Sequence, residues 1–404
     1  MASLANLRRA YALVLLATGS YLFLMFIWFS VPAYLSVIIE DVDLTGTQAG
    51  LVVGAIPLTY IPLALVSGVV VDRVGPGWSL GVGVLVYGLA QIGRSLATEF
   101  SHLFVFTVGI GIGATAITFG LPKLVSLLFP PEKTGFPSSL YLVGASAGSA
   151  AVFGLGRPVF GPVLGGWRPL FFWSGVCACL YAVLWLLVAR HAGVDTHQSI
   201  QDSTFSLASI RQDLTFILSH RELQLVVVIG TMYLFTSHTV QGWLPTVLES
   251  RGFSAAVAGQ TTSVFVVMVA VGIFLVPGVA DRFAARREAL IVCGLLTSCG
   301  TAMIVFDGSG FLTIASVSIA GVGTGGLSPL LRAIPPALSG IGARLTGTAV
   351  GFIFAVGEIG GFFGPFLVGF LHDVTDSFLP GLVLLVAAGF VIVLAGEALR
   401  RNNR

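Results

Sequence analysis

Four ionisable residues stand inside long apolar stretches of this 404-residue chain: Lys123, Arg157, Arg332 and Glu358. A charge in a hydrocarbon layer costs a few kcal/mol, so each is expected to face a cavity or a partner. Arg157 sits about ten residues from one end of its stretch, near mid-depth, too far from either surface to snorkel there. It reads either as a solute-facing cation or as half of a buried pair with Glu358, which lies at similar depth. Lys123 and Arg332 occupy the inner third of corresponding stretches, where a long side chain can also turn back to the surface. Three cations against one carboxylate make such an interior positive, and a positive cavity concentrates anions. Glu358 is left with two roles, as partner of Arg157 or as a group that takes up a proton. His238 and Gln241 fall one turn apart beside Thr236, Ser237 and Thr239. They read as a polar cavity lining with a titrating imidazole, or as a polar patch near the end of a span. Tyr60, Tyr141 and Trp28 are candidate aromatic walls.

A second kind of chemistry is written twice. Gly68-Val-Val-Val-Asp72-Arg73-Val-Gly75 is echoed by Pro277-Gly278-Val-Ala-Asp281-Arg282, the latter followed by Arg286-Arg287. Each sets an acid beside a base where an apolar run ends. An Asp at a helix N-terminus meets unpaired N–H groups and the positive end of the dipole. An Arg can grip a carboxylate with two hydrogen bonds. Asp72, Arg73, Asp281 and Arg282 therefore suit a contact that forms and breaks, or else a capped loop of positive charge.

No enzyme signature accompanies them. Gly109-Ile-Gly111-Ile-Gly113-Ala114 resembles a phosphate loop only faintly, because no strand precedes it, and helix packing accounts for it. There is no Walker motif to bind ATP, and nothing calls for a cofactor or metal. Cys177 and Cys179 share one span and Cys293 and Cys299 another, where they read as buried small apolar side chains. A net charge of +2, thinly spread, does not describe a nucleic-acid binder.

The elements that carry these residues follow from composition. Apolar residues make up 56% of the chain and charged residues 9%, against roughly a quarter charged in a soluble domain. Apolar runs of about 20 residues recur, long enough to cross a hydrocarbon core, and in lipid they must be helical. Twelve spans fit: 11–39, 46–70, 78–97, 102–128, 137–166, 169–190, 222–247, 255–279, 288–306, 310–334, 342–371 and 379–399. The first is too long for a signal peptide and has no cleavage site, so it is expected to be retained. The polar stretch 191–221 divides the chain into a six-helix bundle over 1–190 and another over 222–404. Residues 206–218 of that stretch read as a short surface helix or a solvated linker. With the N-terminus inside a cell membrane, fourteen Lys and Arg fall on the cytoplasmic side. Only Arg94, Arg168 and Arg251 fall outside, so both termini are expected in the cytoplasm.

The halves also repeat glycine and proline. Gly161-Pro162-Val-Leu-Gly165-Gly166 in the fifth span is matched by Gly360-Gly361-Phe-Phe-Gly364-Pro365 in the eleventh. Small residues let helices approach and Pro bends them, so these are expected to pack the halves together. Repeated six-helix halves suggest a transporter with a midplane site.

These motifs resemble those of the major facilitator superfamily over essentially the whole chain. The turn Gly68 to Gly75 is similar to the family signature between the second and third spans. Its usual basic end is replaced by Pro76-Gly77-Trp78, whereas the second copy keeps Arg286-Arg287. The fifth-span motif is present, followed by Trp167-Arg168-Pro-Leu-Phe171. The early fourth-span Arg of drug/proton antiporters is absent, since Phe104-Val-Phe106 stands there. Leu121-Pro122-Lys123-Leu124, Phe129-Pro130-Pro131-Glu132-Lys133-Thr134-Gly135 and Gly369-Phe-Leu-His-Asp373-Val-Thr375 look most like the cyanate/nitrate-type anion permeases. The resemblance implies an all-α integral membrane fold of 12 helices in two pseudo-symmetric bundles, with the Asp-Arg turns as gates. It implies a secondary transporter for a small anionic or polar solute working by alternating access, with a co-transported ion or proton as a further partner. Two alternatives stand beside it: a proton-coupled exporter of neutral or cationic compounds using Glu358, and a transporter-like ligand sensor.

Overall fold

Lipid offers the backbone no hydrogen-bond partner, so apolar runs of this length fold as helices. The computed structural model describes residues 4–195, 219–306, 310–338 and 342–399, and all regular structure among them is helical. The surface helix expected at 206–218 lies outside the described residues, as do Asp307, Arg400, Arg401 and Arg404. Two compact units emerge. One comprises Met1–Leu44 with Ala55–Gln201, the other Thr45–Gly54 with Asp202–Arg404.

The first unit begins with α1 (Leu4–Trp28), α2 (Ser30–Ala33) and α3 (Leu35–Val42), three pieces of one broken span. Pro32 supplies no N–H, and the breaks fall at Phe29 and at Tyr34, whose φ and ψ of −120° and 14° leave the helical region. Then come α4 (Gly46–Val74), whose opening residues up to Gly54 belong to the second unit, α5 (Pro76–Ser95) and α6 (Phe100–Leu128). The fifth span is α7 (Gly135–Leu155), a π-helical turn over Gly156–Phe160, and α8 (Gly161–Leu164); α9 (Trp167–His191) closes the unit. The second unit holds α10 (Arg221–Ser250), α11 (Ala255–Arg282), α12 (Arg286–Phe306), α13 (Gly310–Ala333), α14 (Gly342–Thr375) and α15 (Leu379–Ala398).

Eleven of these helices are long and apolar enough to cross a membrane. The twelfth is α5, which has 20 residues but dilutes its hydropathy with five glycines, Gln91 and Arg94. Most helix ends fall within a few residues of the sequence limits. The small differences matter, because Asp72 and Asp281 become part of helices and not of turns.

Glycine sets the close packing. Within the second unit Gly357 approaches the Gly230 carbonyl, where a Cβ would lie 3.2 Å away, and Gly360 and Gly364 meet the backbone of Thr231 and Phe235 on α10. Gly46, Gly50 and Gly54 recur every four residues along one face of α4 and meet Gly369, Pro365 and Phe362 of α14. Gly364 thus packs inside its own unit, while the Pro365 carbonyl accepts a 2.9 Å hydrogen bond from Trp243 Nε1. Gly165 departs from the packing expectation, with nothing within 4 Å of a Cβ there. Its φ of +85° and that of +128° at Gly166 turn the chain out of α8.

Two further expectations are corrected. Cys177 and Cys299 are exposed on their helices, Cys179 is half-buried, and only Cys293 is buried. Arg94 is no outer-loop cation. It sits in the last turn of α5 with 1% of its surface exposed, turned inward among the neighbouring helices. Its guanidinium donates to Thr107 Oγ1 at 3.0 Å, to the Ile27 carbonyl at 3.2 Å and to Gln91 Oε1 at 3.2 Å. Gln91 in turn donates to Ser30 and Ser174, so one cation organises a buried polar network across several helices.

Candidate functional site

The first unit presents Arg157 on its π-helical turn. Pro158 removes an N–H just after Arg157 and Gly156 just before it tolerates distortion, so the ladder slips to the wider π spacing. Such turns aim side chains differently from an α-helix and are frequent at functional sites. Tyr34, freed by the break in the first span, donates its hydroxyl to the Gly156 carbonyl at 2.6 Å. Its ring lies 5.3 Å below the Arg157 guanidinium, close enough for a cation–π contact. Arg157 also donates to Ser36 Oγ at 3.4 Å. Gly161 leaves room for the Tyr34 hydroxyl, which would stand 3.1 Å from a Cβ there, and Pro162 opens α8 directly after it. A guanidinium is thereby held at mid-span between an aromatic ring and the Ser36 hydroxyl. This arrangement suits a small oxyanion.

The second unit gathers a polar file from three helices. His238 Nε2 on α10 stands 3.5 Å from Glu358 Oε2 on α14, both side chains nearly buried at 12% and 13% exposure. Tyr233, one to two turns from His238, hydrogen-bonds Ser328 on α13 and lies within electrostatic reach of both Arg332 and Glu358. Arg332 donates to the Ser328 hydroxyl and to its carbonyl at 2.9 Å, and its guanidinium covers the Phe354 ring at 4.1 Å. The sequence marked His238, Glu358 and Arg332 separately; the fold brings them into one file and adds Tyr233. Gln241 does not join. It folds back on its own helix, donating to Ser237 O and Oγ at 3.1 and 3.2 Å.

Lys123 is engaged elsewhere, at 2.7 Å from Asp72. The second copy behaves alike: Asp281 pairs with Arg286 at 2.8 Å, and Arg286 also reaches the Ala333 carbonyl at 3.1 Å. Consecutive helical residues do not face each other, and among the described residues the bases that reach these carboxylates are Lys123 and Arg286. Arg73 and Arg282 are exposed, the latter near the Phe283 ring. The tie at Asp72 is half-exposed, so it is expected to contribute about 0.5 kcal/mol. Asp72→Lys should lower the apparent Tm in detergent, and Asp72→Lys with Lys123→Asp should restore it. A double variant no better than the single one would remove the pair from the account.

The carboxylate at the N-terminus of α5 is Asp195, not Asp72. Gly75, at φ +93°, turns the chain, Pro76 starts the helix, and Asp195 accepts from Gly77 N at 2.8 Å and Trp78 N at 3.2 Å. Burial pushes its carboxyl up, with the two backbone N–H groups opposing that rise. A folded pKa above the unfolded one favours the fold at low pH, and that contribution fades as pH rises through the folded value. Asp195→Ala is expected to cost about 1 kcal/mol at neutral pH, the usual loss of a cap, read as a lower Tm. Asp195→Asn keeps one acceptor and should stay closer to wild type.

The signals for the missed residues were present in part. Arg94 lies three residues inside the expected limit of its span, so its depth was readable. Tyr34 and Tyr233 carry no such mark, since aromatic residues are ordinary in membrane helices.

Comparison with known proteins agrees with this architecture. The family model described as Major Facilitator Superfamily matches residues 16–365 and again 227–401. An uncharacterized transporter of Bacillus subtilis (strain 168) is 26% identical over 383 residues, covering 93% of this chain and 90% of the relative. A probable nitrate/nitrite transporter of Mycobacterium tuberculosis (strain ATCC 25618 / H37Rv) is 25% identical, with 87% of each chain covered. A hexuronate transporter of Bacillus subtilis (strain 168) is also 25% identical, covering 90% and 88%. Among solved structures, a D-xylose-proton symporter superimposes with a TM-score of 0.77 at 15% identity, covering 95% of each chain. A bacterial homolog of the human lysosomal transporter Spinster gives 0.75 at 17% identity, over 96% and 95%.

Proposed function

The chain belongs to the major facilitator superfamily, and from that premise we propose that it is a secondary transporter of small anionic solutes working by alternating access. The observation that carries the anionic reading is Arg157, held at mid-span by the π-helical turn, Tyr34 and Ser36. A fixed guanidinium offers two parallel N–H donors, which match the paired oxygens of a carboxylate or nitrate. Relatives named as nitrate/nitrite and hexuronate transporters support the same reading, since their solutes are anions. Lys123 is tied to Asp72, and we assign it to the gate with Asp281 and Arg286, not to the solute. We likewise propose bundles over 1–190 and 222–404 joined by 191–221, in a cell membrane with both termini cytoplasmic.

Ligand that binds only the native state raises apparent stability by RT ln(1 + [L]/Kd). Thermal unfolding of the purified chain with nitrate, nitrite, D-glucuronate, tartrate and a lipophilic cation is therefore the direct test of solute class. At about 100 times Kd an anion should contribute roughly 2.7 kcal/mol, a clear rise in Tm. Protection by the cation alone would favour the exporter of neutral or cationic compounds.

A further inference from the structure

We propose that the cleft between the first turn of α5 and the last turn of α9 holds one anionic phospholipid, its phosphate on Arg190 and an acyl chain along Trp78 and Leu187. The inference depends on the chain spanning a membrane and not on the nature of the transported solute.

The cleft has a volume of about 330 Å³, at the small end of the roughly 300–1,000 Å³ usual for ligand pockets. Its walls come entirely from the first unit, and hydrogen bonds fix them. Trp185 Nε1 on α9 donates to the Gly77 carbonyl on α5 at 2.9 Å. The Asp195 carboxylate accepts from Gly77 N at 2.8 Å and Trp78 N at 3.2 Å, which holds the chain after α9 against the start of α5. A Cβ at Gly77 would stand 2.5 Å from Asp195 Oδ2, so glycine is what lets the two segments close there. The cleft is therefore built before anything enters it.

Its depth places it among lipid headgroups. The 25 residues of α9 span about 37 Å, more than a hydrocarbon core about 30 Å thick. Arg190, the penultimate residue of α9, stands where a long cationic side chain reaches phosphate. Trp78 lines the same cleft with 55% of its surface exposed, and Trp is enriched at the membrane–water interface. Below these two, exposed apolar side chains descend in two rows, Val82 on α5 and Leu187, Val183 and Leu180 on α9. A headgroup at Arg190 thus has an apolar track beneath it for its acyl chain.

Charge selects the headgroup. Arg190 and Asp195 are the charged residues that line the cleft. Each oxygen of Asp195 already accepts a backbone N–H, whereas the exposed Arg190 guanidinium makes no hydrogen bond or ion pair among the described residues. The donors are free and the carboxylate is engaged, which favours a phosphodiester whose headgroup carries no ammonium. A basic residue at this depth strengthens the hold on anionic lipid about fivefold.

Native mass spectrometry of the full chain released from detergent tests this, with dioleoyl-phosphatidylglycerol or dioleoyl-phosphatidylcholine added. Wild type should retain phosphatidylglycerol about fivefold better than phosphatidylcholine. Arg190→Gln should lose that preference and Arg190→Lys should keep part of it. Phosphatidylglycerol should also raise the apparent Tm of wild type more than that of Arg190→Gln, since a ligand stabilises only the state that binds it. The position is read separately with Leu187→benzoylphenylalanine in a chain otherwise wild type, where light should join the side chain to an acyl chain. Equal retention of the two lipids by wild type would overturn the site, as would an Arg190→Gln that behaves like wild type. A photoproduct with residues 196–218 of the same chain, or with a second copy, would overturn it too, because the cleft would then have another occupant.

Discussion

Replacing Arg157 with Gln should reduce uptake of the transported anion by about two orders of magnitude, matching about 3 kcal/mol for a lost charged hydrogen bond. Gln keeps the polar stem of the side chain, so the change removes charge and fork without emptying the position. Arg157→Lys tests the fork separately. It retains the charge but cannot present two parallel donors, so KM should rise about tenfold with a smaller change in kcat. Tyr34→Phe keeps the ring and releases the 2.6 Å bond to the Gly156 carbonyl, so it should have an intermediate effect. Uptake by Arg157→Gln equal to wild type would end the assignment of Arg157 to the solute.

Arg94 carries the second large effect, and it falls on stability. Arg94→Leu withdraws the donor from Gln91 Oε1 inside the first unit and leaves a cavity beside Thr107 and Phe171. The two losses together are expected to reach about 3 kcal/mol, with a correspondingly lower Tm in detergent. Molecules that remain folded should retain the KM of wild type, because the network is distinct from the Arg157 site. Arg94→Lys should fall between the two, since one ammonium cannot reproduce three directed bonds. An unchanged Tm for Arg94→Leu would show that the network contributes little.

Much of the fold was legible because membrane crossing leaves one solution for apolar runs of this length. The limits of α10 to α15 fall within four residues of the spans read from hydropathy. The broken first span was not readable as such, since Pro32 alone does not say where the chain will bend, and Tyr34 owes its role to that bend. Site residues were legible one at a time, through the cost of charge in lipid, and this marked Arg157, Arg332 and Glu358. Their company was not. His238 meets Glu358 across 120 residues, and only the packing of α10 on α14, set by Gly357, Gly360 and Gly364, brings the two together. The Asp-Arg dipeptides show another limit of the sequence. The helices run on through both, and Asp72 and Asp281 meet Lys123 and Arg286, partners that adjacency in sequence does not reveal.

Whether this protein moves anions is decided by uptake into proteoliposomes of the purified chain, with nitrate, nitrite, D-glucuronate and tartrate set against a lipophilic cation. Saturable uptake of at least one anion is expected, competed by other anions and lost in Arg157→Gln. Saturable movement of the cation with no anion flux would overturn the anionic assignment.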